Sequence, residues 1–364
     1  MNKLTIKVFF LVCCLFISCK ESKKQEILSE YKFGYTLHIL DSLEYKFEGS
    51  NPIVFGSQIE HFKDKILITD KDLNSIFIFS EELEFEHKIG GKGRGPGEYL
   101  ETPRVILEDS SIILQDQLKI DRYNSQFELI SSKTLPAEFT FPLNSVRNIK
   151  QKDKLVMNVW TDKYLNFNEY SPICVLDDDN NIEFNIGKWD DVYLNEKYSA
   201  FCLEQSRVLF SKVSENKFFA KQQASRKIQL FENFELVEEF YYSPKFFRKI
   251  PEVTIKEYQK NLETFFKFVP TITYNYNLCY DHQNQYVIIS YFHTAPVVKK
   301  GLNIKNDKTF ITVFDKYYNC IYDGVAPGYL EFIKNGELYF KKLKDNGITL
   351  IKCKVKYRSE RNGN

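Results

Sequence analysis

The sequence has almost no net charge, and the apolar segment with which it begins is too short to cross a membrane. Lys and Arg number 50 and Asp and Glu number 49, which leaves a formal net charge of +1 over 364 residues. A nearly neutral domain lacks the long-range field that gathers phosphates, so nucleic acid is not expected as a partner. The apolar run at residues 8–18 contains 11 residues. A helix of that length rises only about 16 Å, roughly half the apolar thickness of a bilayer.

The chain also lacks the short motifs of catalytic and metal sites. Its histidines form no HxH or HExxH pair, and no GxSxG nucleophile elbow is present. His293 ends a predicted strand, where a pocket-facing role or a hydrogen-bonded structural role would fit. The sequence therefore names no catalytic residue, metal ligand or cofactor.

After the first 19 residues, cysteine is sparse and its residues lie far apart in the sequence. No CxxC motif or metal-type spacing occurs, which predicts small, buried apolar side chains rather than a disulfide framework. The residues concerned are Cys174, Cys202, Cys279, Cys320 and Cys353. Oxidation of one pair in an oxidising compartment stays open.

Aromatic and apolar residues are abundant. Apolar residues make up 43% of the chain and aromatic residues 16%, with 32 Phe and 23 Tyr. This is ample for a packed core, and Phe, Tyr, Ile and Val favour the pleated surface of a strand. The length accommodates one large all-β domain or two smaller ones.

The N-terminus resembles the signal of a bacterial lipoprotein. Lys3 and Lys7 precede the apolar run, and Leu15-Phe16-Ile17-Ser18 before Cys19 resembles a lipobox, with Phe16 where Leu is usual. We therefore predict a signal peptide at 1–18, acylation of Cys19 and a tether at 19–30. The expected location is the outer membrane, on its periplasmic or its outer side, because two or three acyl chains anchor a protein stably. A plain secretory signal is the alternative.

A repeated pattern predicts the blades of a β-propeller. An apolar strand ends in an aromatic residue or Leu, a polar turn follows, and another apolar strand begins. The equivalent positions are Phe79, Tyr123, Leu176, Phe231 and Phe314, at intervals of 44, 53, 55 and 83 residues. The first three intervals suit one four-stranded blade each, and the fourth is long enough for one extra blade, which gives about six. A β-sandwich is the alternative topology.

Three further features complete the predicted architecture. Residues 35–40 are expected to close the ring against the C-terminal strands. Residues 351–357 alternate apolar residues with lysines, as in an outer strand whose lysines discourage edge pairing. Residues 251–268 carry one apolar helical stripe, which predicts a helix over the rim of the propeller or a lid.

Residues 90–103 (GGKGRGPGEYLETP) form the most recognisable motif. With the strands that follow, the motif resembles an NHL-type repeat, and with the lipobox the chain resembles the TolB-like or NHL-like six-bladed propeller lipoproteins of Bacteroidota. The resemblance implies a propeller at 31–358, a tail at 359–364, and a loop between blades. The loop residues are Gly93, Gly95, Pro96, Gly97, Glu98 and Tyr99. Pro96 and Gly97 suit the centre of a type II turn, and Tyr99 suits the groove between blades.

Two other segments have rival interpretations. The glycine run could cradle a phosphate, but no GK[ST] follows and a strand replaces the expected helix. The run 177–181 (DDDNN) resembles the start of a calcium loop, but Ile182 and Lys188 stand where Gly and Glu are needed. A hairpin turn is therefore predicted there.

These observations favour a membrane-anchored binding or scaffolding propeller without catalytic activity. Its partner would be a peptide, a glycan or a protein. The alternative is a metal-dependent hydrolase of the lactonase type, with a divalent cation held in the central channel by residues scattered over several blades. A third hypothesis is an accessory role in the processing or export of small secreted peptides.

Overall fold

Twenty-four strands form six antiparallel sheets of four strands each. The computed structural model describes residues 34–46, 58–116, 119–135, 148–158, 171–258, 260, 271–293, 308–344 and 347–357. The first strands contact one another in five of the six pairs of successive sheets, so each sheet is a blade and its first strand is innermost. The predicted six-bladed β-propeller is confirmed.

Each blade is built from consecutive strands, except the last, which includes the first strand of the chain. That strand is β1 (Tyr35–Lys46). Blade 1 contains β2 (Ile59–Phe62), β3 (Lys65–Asp70), β4 (Ser75–Ser80) and β5 (Phe85–Gly90). Blade 2 contains β6 (Arg104–Leu107), β7 (Ser111–Gln115), β8 (Lys119–Asn124) and β9 (Leu129–Thr134). Blade 3 contains β10 (Ile149–Gln151), β11 (Lys154–Asn158), β12 (Ile173–Leu176) and β13 (Ile182–Ile186).

The remaining blades follow the same order. Blade 4 contains β14 (Val208–Ser214), β15 (Lys217–Gln222), β16 (Lys227–Glu232) and β17 (Glu235–Tyr241). Blade 5 contains β18 (Thr273–Asp281), β19 (Tyr286–His293), β20 (Lys308–Phe314) and β21 (Cys320–Val325). Blade 6 contains β22 (Tyr329–Lys334), β23 (Glu337–Lys344), β24 (Gly347–Tyr357) and β1.

The ring closes through the pairing of the two ends of the described chain. β1 pairs with β24 in register from Tyr35 opposite Tyr357 to Lys46 opposite Gly347, as predicted for residues 35–40. The prediction that 351–357 form an exposed outer strand is wrong. β24 lies between β23 and β1, and Lys352 pairs with Glu337 at 2.8 Å. Alternation alone does not identify an edge strand, because a strand covered on both edges can still have one exposed face.

The five equivalent positions of the sequence repeat occupy the same place in five blades. Each is buried and lies at or next to the end of the third strand. Directly before each of them, the pairing of the third strand with the outermost strand shifts by one residue. The shift leaves one unpaired residue in each outer strand, which increases its twist. The repeat that the sequence shows is therefore a structural repeat.

The extra blade expected in the 83-residue interval does not exist. Thr273–Asp281 and Tyr286–His293 are the first two strands of blade 5, and Phe314 ends its third strand. The additional length belongs to two connections, at 242–272 and 294–307. The sixth blade is the one closed by β1, so the count of six was right although the sixth blade was misplaced.

Helix is scarce in the described chain. A 3-10 turn (Glu196–Tyr198) runs directly into α1 (Ser199–Glu204), between blades 3 and 4, and the sequence analysis missed both. Six residues span fewer than two turns, too few to show helical periodicity. Of the helix predicted at 251–268, only α2 (Ile255–Tyr258) is described, and 261–270 lie outside the described residues.

Apolar side chains fill the spaces between neighbouring blades. The core consists of layers, for example one between blades 1 and 2 that includes Tyr99 and Tyr123, and one between blades 2 and 3. All five cysteines after Cys19 are buried, as predicted, and none of them forms a disulfide in the structure. Burial raises the pKa of the Cys174 thiol to about 12, so this group stays protonated at neutral pH.

The two faces of the propeller differ in the length of their connections. Because neighbouring strands are antiparallel, the first-to-second and third-to-fourth connections lie on one face, which we name the turn face. The second-to-third and blade-to-blade connections lie on the other, which we name the loop face. Turn-face connections contain at most five residues, as at 177–181 and 315–319, whereas loop-face connections reach 31 residues, at 242–272.

Residues 1–33, with the predicted signal peptide, Cys19 and tether, lie outside the described residues. Within the described part of the chain, no helix has the length and apolar character needed to cross a bilayer.

Candidate functional site

The glycine-rich segment forms a compact loop between blades 1 and 2. Pro96 and Gly97 are the central residues of a turn in which the N–H of Glu98 donates to the carbonyl of Gly95 at 3.0 Å. Gly97 has φ +73°, as the third position of a type II turn requires. Gly93 has φ +156°, and a Cβ there would collide with the carboxylate of Glu98.

Tyr99 anchors this loop in the core. Its side chain is 0% exposed, and its hydroxyl lies 3.1 Å from the hydroxyl of Tyr123 in blade 2. Burial, then the neighbouring Tyr123, raises the pKa of Tyr99 far above its ordinary value. The N–H of Gly97 donates to Asp121 at 3.0 Å, and Lys119 donates to the carbonyl of Gly95. The described contacts thus hold two blades together.

The loop does not have the geometry of a phosphate cradle. Oε2 of Glu98 accepts the N–H of Gly95 at 3.0 Å and packs against Gly93. The loop therefore presents its own carboxylate to a backbone N–H group that an anion would need.

The acidic run at 177–181 is a hairpin turn on the turn face. Oδ1 of Asp177 accepts the N–H groups of Asp179 and Asn181, both at 2.9 Å. Asn180 has φ +65°. Asp315 makes the same bonds to Tyr317 and Asn319 in blade 5, at 2.9 Å each. The run therefore belongs to a repeated turn, and the resemblance to a calcium loop comes from the residues that such a turn favours.

At the loop-face end of the channel, polar side chains link each blade to the next. Between blades 4 and 5, the amides of Gln223 and Asn275 each donate to the other residue's backbone carbonyl, at 2.7 and 2.6 Å. Between blades 5 and 6, Asn277 donates to the carbonyl of Glu331 at 3.0 Å. Between blades 6 and 1, the N–H of Ile59 donates to Oε2 of Glu331 at 3.2 Å.

The same type of link occurs on the opposite side of the ring. Between blades 1 and 2, the side-chain amide of Gln58 donates to the carbonyl of Val105 at 2.9 Å and accepts its N–H at 3.0 Å. Between blades 3 and 4, the N–H of Val208 donates to Oδ1 of Asn158. Most buried amides at this end of the channel are therefore structural.

A buried ion pair completes the links among blades 5, 6 and 1. Nζ of Lys341 lies 2.8 Å from Oε1 of Glu331, and both side chains are 1% exposed. The hydroxyl of Tyr276 donates to the same oxygen at 2.6 Å, and Lys341 donates to that hydroxyl at 3.2 Å. We name Tyr276, Glu331 and Lys341 the paired network.

Two arginines lie at the loop-face ends of innermost strands in blades 2 and 4. Arg104 begins β6 in blade 2, and Arg207 directly precedes β14 in blade 4. Burial, then the charge of Arg207, lowers the pKa of Arg104 to about 10, while Glu101 and Asp116 act in the opposite direction. The two charges therefore interact although blade 3 separates their blades.

Two buried amides beside these arginines have unused hydrogen-bonding capacity. Gln115 is the strand partner of Arg104, and its Oε1 accepts from Nδ2 of Asn148 at 2.8 Å. Nε2 of Gln115 and Oδ1 of Asn148 are buried and have no partner among the described residues. Flipping both amides would again leave one donor and one acceptor unused. We name Arg104, Gln115, Asn148 and Arg207 the mouth cluster.

His293 ends β19 on the loop face of blade 5. Its ring lies 4.7 Å from that of Phe310, and its buried Nε2 has no partner in the described part of the chain. Burial, then the charge of Arg248, lowers the pKa of His293 to about 4, so the ring is neutral at pH 7. Within the described ranges, no group of three or more His, Cys, Asp or Glu side chains could hold a metal ion.

A cleft of about 360 Å³ lies between blades 2 and 3. Its charged walls are largely paired: Glu108 lies 2.8 Å from Lys150 and 3.3 Å from Arg122. This pairing favours a role in holding the two blades together.

The sequence analysis did not find the mouth cluster. Its four residues come from three blades and form no local motif. The available signal was a polar residue at the loop-face end of otherwise apolar strands, as in Gln115 after Ile112-Ile113-Leu114. Without the ring geometry, that signal does not distinguish a site from a link between blades.

Six four-stranded blades around a channel, closed by an N-terminal strand, define this protein as a six-bladed β-propeller. The chain matches the DUF5128 family of 6-bladed β-propellers over residues 38–351 and belongs to that family.

Solved structures from Bacteroides have a similar fold. A member of the DUF4221 family from Bacteroides vulgatus has a TM-score of 0.65 at 11% identity, over 89% of this chain and 99% of that one. A Bacteroides fragilis protein that carries the name of an exported protein has a TM-score of 0.57 at 16% identity, over 89% and 96%. At these identities the likeness concerns the fold. No curated protein matches the chain in sequence.

Proposed function

We propose that this protein is an envelope lipoprotein of the NHL-like propeller type, anchored through Cys19, that binds a peptide, glycan or protein partner without catalysing a reaction. The observation that supports the binding role is the difference in connection length between the two faces. Turn-face connections have at most five residues, and loop-face connections reach 31. In repeat folds, insertions tend to collect on the face that binds, and loops on a rigid scaffold commonly carry function.

The electrostatics favour the same face. The mouth cluster places two arginines at the loop-face end of the channel. The described turn-face hairpins are instead closed by their own hydrogen bonds, such as those accepted by Asp177 and Asp315. Turns with satisfied polar groups offer few directional contacts to a partner.

The anchor is tested by metabolic labelling with palmitate. We expect the wild-type chain to be labelled and to sediment with membranes, and a Cys19→Ser variant to lose both properties. A Cys14→Ser variant changes a cysteine within the predicted signal peptide and should keep the label. Equal labelling of all three chains, or none of any, contradicts acylation at Cys19. Protease treatment of whole cells then tests which side of the outer membrane the protein faces.

The binding face is tested by photo-crosslinking in the native envelope. The five cysteines of the described chain are buried, so a cysteine introduced on the surface can be labelled selectively. Arg226→Cys on the loop face and Glu215→Cys on the turn face are both exposed positions in blade 4. We expect a reproducible crosslinked partner from position 226 and none from position 215. Equal products from both positions, or none from either, would contradict the proposal.

A further inference from the structure

The mouth cluster differs from the loop-face links described above because its amides are only half used. Gln115 and Asn148 are 1% and 4% exposed, yet each has one polar atom without a partner in the described chain. Buried amide atoms in native proteins nearly always have partners. An unused donor beside an unused acceptor is therefore a place where one hydroxyl group, of a ligand or of water, can supply both missing hydrogen bonds.

The positions of the arginines restrict the charge of that molecule. Gln115 and Arg104 are opposite each other on neighbouring strands, so their side chains leave the sheet on the same face. Arg207 precedes the innermost strand of blade 4 at the same end of the channel, and its charge acts on Arg104. A negatively charged group between the two guanidinium groups would reduce their mutual repulsion, whereas an ammonium group would increase it.

Two carboxylates nearby limit the number of negative charges. Glu101 and Asp116 act on Arg104, and Oδ2 of Asp116 accepts the N–H of Leu100 at 2.8 Å. They would repel a polyanion but can accept hydrogen bonds from hydroxyl groups. The unused Oδ1 of Asn148 likewise requires a donor such as a hydroxyl. A single carboxylate on a polyhydroxylated molecule satisfies all of these requirements.

We propose that the mouth cluster binds an acidic sugar, with its carboxylate between Arg104 and Arg207 and a hydroxyl group between Gln115 and Asn148. This inference rests on the binding role proposed above and gives the ligand a chemical class: a uronic acid unit of a glycan. Bare inorganic anions would use the arginines but would leave the acceptor on Asn148 without a donor.

The test is isothermal titration calorimetry of the full-length chain in detergent. D-Glucuronate is the probe, D-glucose is the neutral comparison, and sulfate at equal ionic strength is the bare anion. We expect glucuronate to bind, and glucose and sulfate to bind at least about tenfold more weakly, because each lacks one of the two kinds of contact. Equal affinity for glucose, or for sulfate, overturns the proposal.

Two variants locate the site. Arg207→Gln should weaken glucuronate binding by about tenfold or more, because a charge-assisted hydrogen bond is lost. Arg226→Gln changes an exposed arginine on the loop face of the same blade and should leave the affinity unchanged. Equal losses in the two variants would mean general attraction to a basic face and would overturn the proposed site.

If Arg207→Gln does not fold, a third variant, Asn148→Asp, tests the site. Asn148→Asp keeps the size of the side chain and adds a negative charge beside the expected carboxylate, so glucuronate binding should again fall about tenfold. Unchanged binding in folded Asn148→Asp overturns the proposal. Absence of glucuronate binding together with a loop-face crosslink from position 226 would reject the acidic sugar and keep the binding role. Failure of both experiments would reject both.

Discussion

The two sides of the channel at the loop face use similar residues in different ways. Around blades 5, 6 and 1, Glu331 accepts from Lys341, Tyr276 and Ile59. Around blades 2, 3 and 4, the charge of one arginine acts on another, and one donor and one acceptor of the neighbouring amides are unused. The first arrangement holds blades together, and the second leaves two amide atoms unsatisfied.

This difference shows that burial of polar groups does not by itself indicate a site. Asn275 and Asn277 are as buried as Gln115 and Asn148. They differ in how many of their hydrogen-bonding atoms have partners, and that number depends on which backbone groups the next blade presents. The candidate site is therefore argued from an unused donor and an unused acceptor that two hydrogen-bonded side chains of neighbouring blades present together, as Gln115 and Asn148 do.

The largest expected effect comes from breaking the paired network. Lys341→Met leaves Glu331 as a buried carboxylate without its ammonium partner, and should lower the free energy of unfolding by about 3–5 kcal/mol. Urea denaturation measures the change. Lys342→Met, at the exposed neighbouring position, should change stability by less than about 0.5 kcal/mol. Similar midpoints for the two variants would show that the paired network does not stabilise the ring.

The next effect compares a link on each side of the channel. Asn277→Ala removes the donor to the carbonyls of Leu330 and Glu331 and should cost about 1–3 kcal/mol. Asn148→Ala removes one hydrogen bond and one unsatisfied acceptor but leaves Oε1 of Gln115 without its donor, so the number of unsatisfied atoms stays the same and the cost should be about 1 kcal/mol or less. Equal losses in urea denaturation would remove the distinction between the two sides.

A replacement beside the mouth cluster should increase stability. Gln205 lies two residues before Arg207 and is 0% exposed, and neither side-chain atom of its amide has a partner among the described residues. Gln205→Met, of similar size and without buried polar atoms, should raise the free energy of unfolding by about 1 kcal/mol. Gln223→Met is the control and should destabilise, since Gln223 donates to Asn275 at 2.7 Å. Destabilisation by Gln205→Met would show that its amide is satisfied in solution.

The smallest effect concerns His293. It lies in blade 5, on the side of the channel where most polar groups are paired, but its Nε2 has no partner among the described residues. Its pKa is about 4 in the folded protein, below the ordinary value of 6.5, so the unfolded chain binds the proton more tightly. Its contribution to stability is therefore complete above about pH 6.5 and is lost as the pH falls towards 4. Replacing it in His293→Gln should flatten the stability profile in this window by about 1 kcal/mol. A profile as steep as that of the wild type would mean that other groups cause the acid dependence.

The strands were readable from the sequence because their signals are local. Phe79, Tyr123 and Leu176 mark the same place in their blades, and the type II turn at Pro96-Gly97 follows from residues that can adopt it. The helix α1 was missed because six residues carry no periodic pattern. The interval before Phe314 was misread because a long connection and a blade have similar lengths.

The sequence by itself determined the fold class, the number of blades, the closure by residues 35–40 and the burial of the cysteines. These depend on apolar patterning and turn residues, which act over a few positions. Only the tertiary structure decided that β24 is covered by β1, that the sixth blade is the closing one, and that Arg104 and Arg207 lie at the same end of the channel. Those facts depend on contacts between residues far apart in the chain, and no local pattern specifies which strands share a blade or an end of the channel.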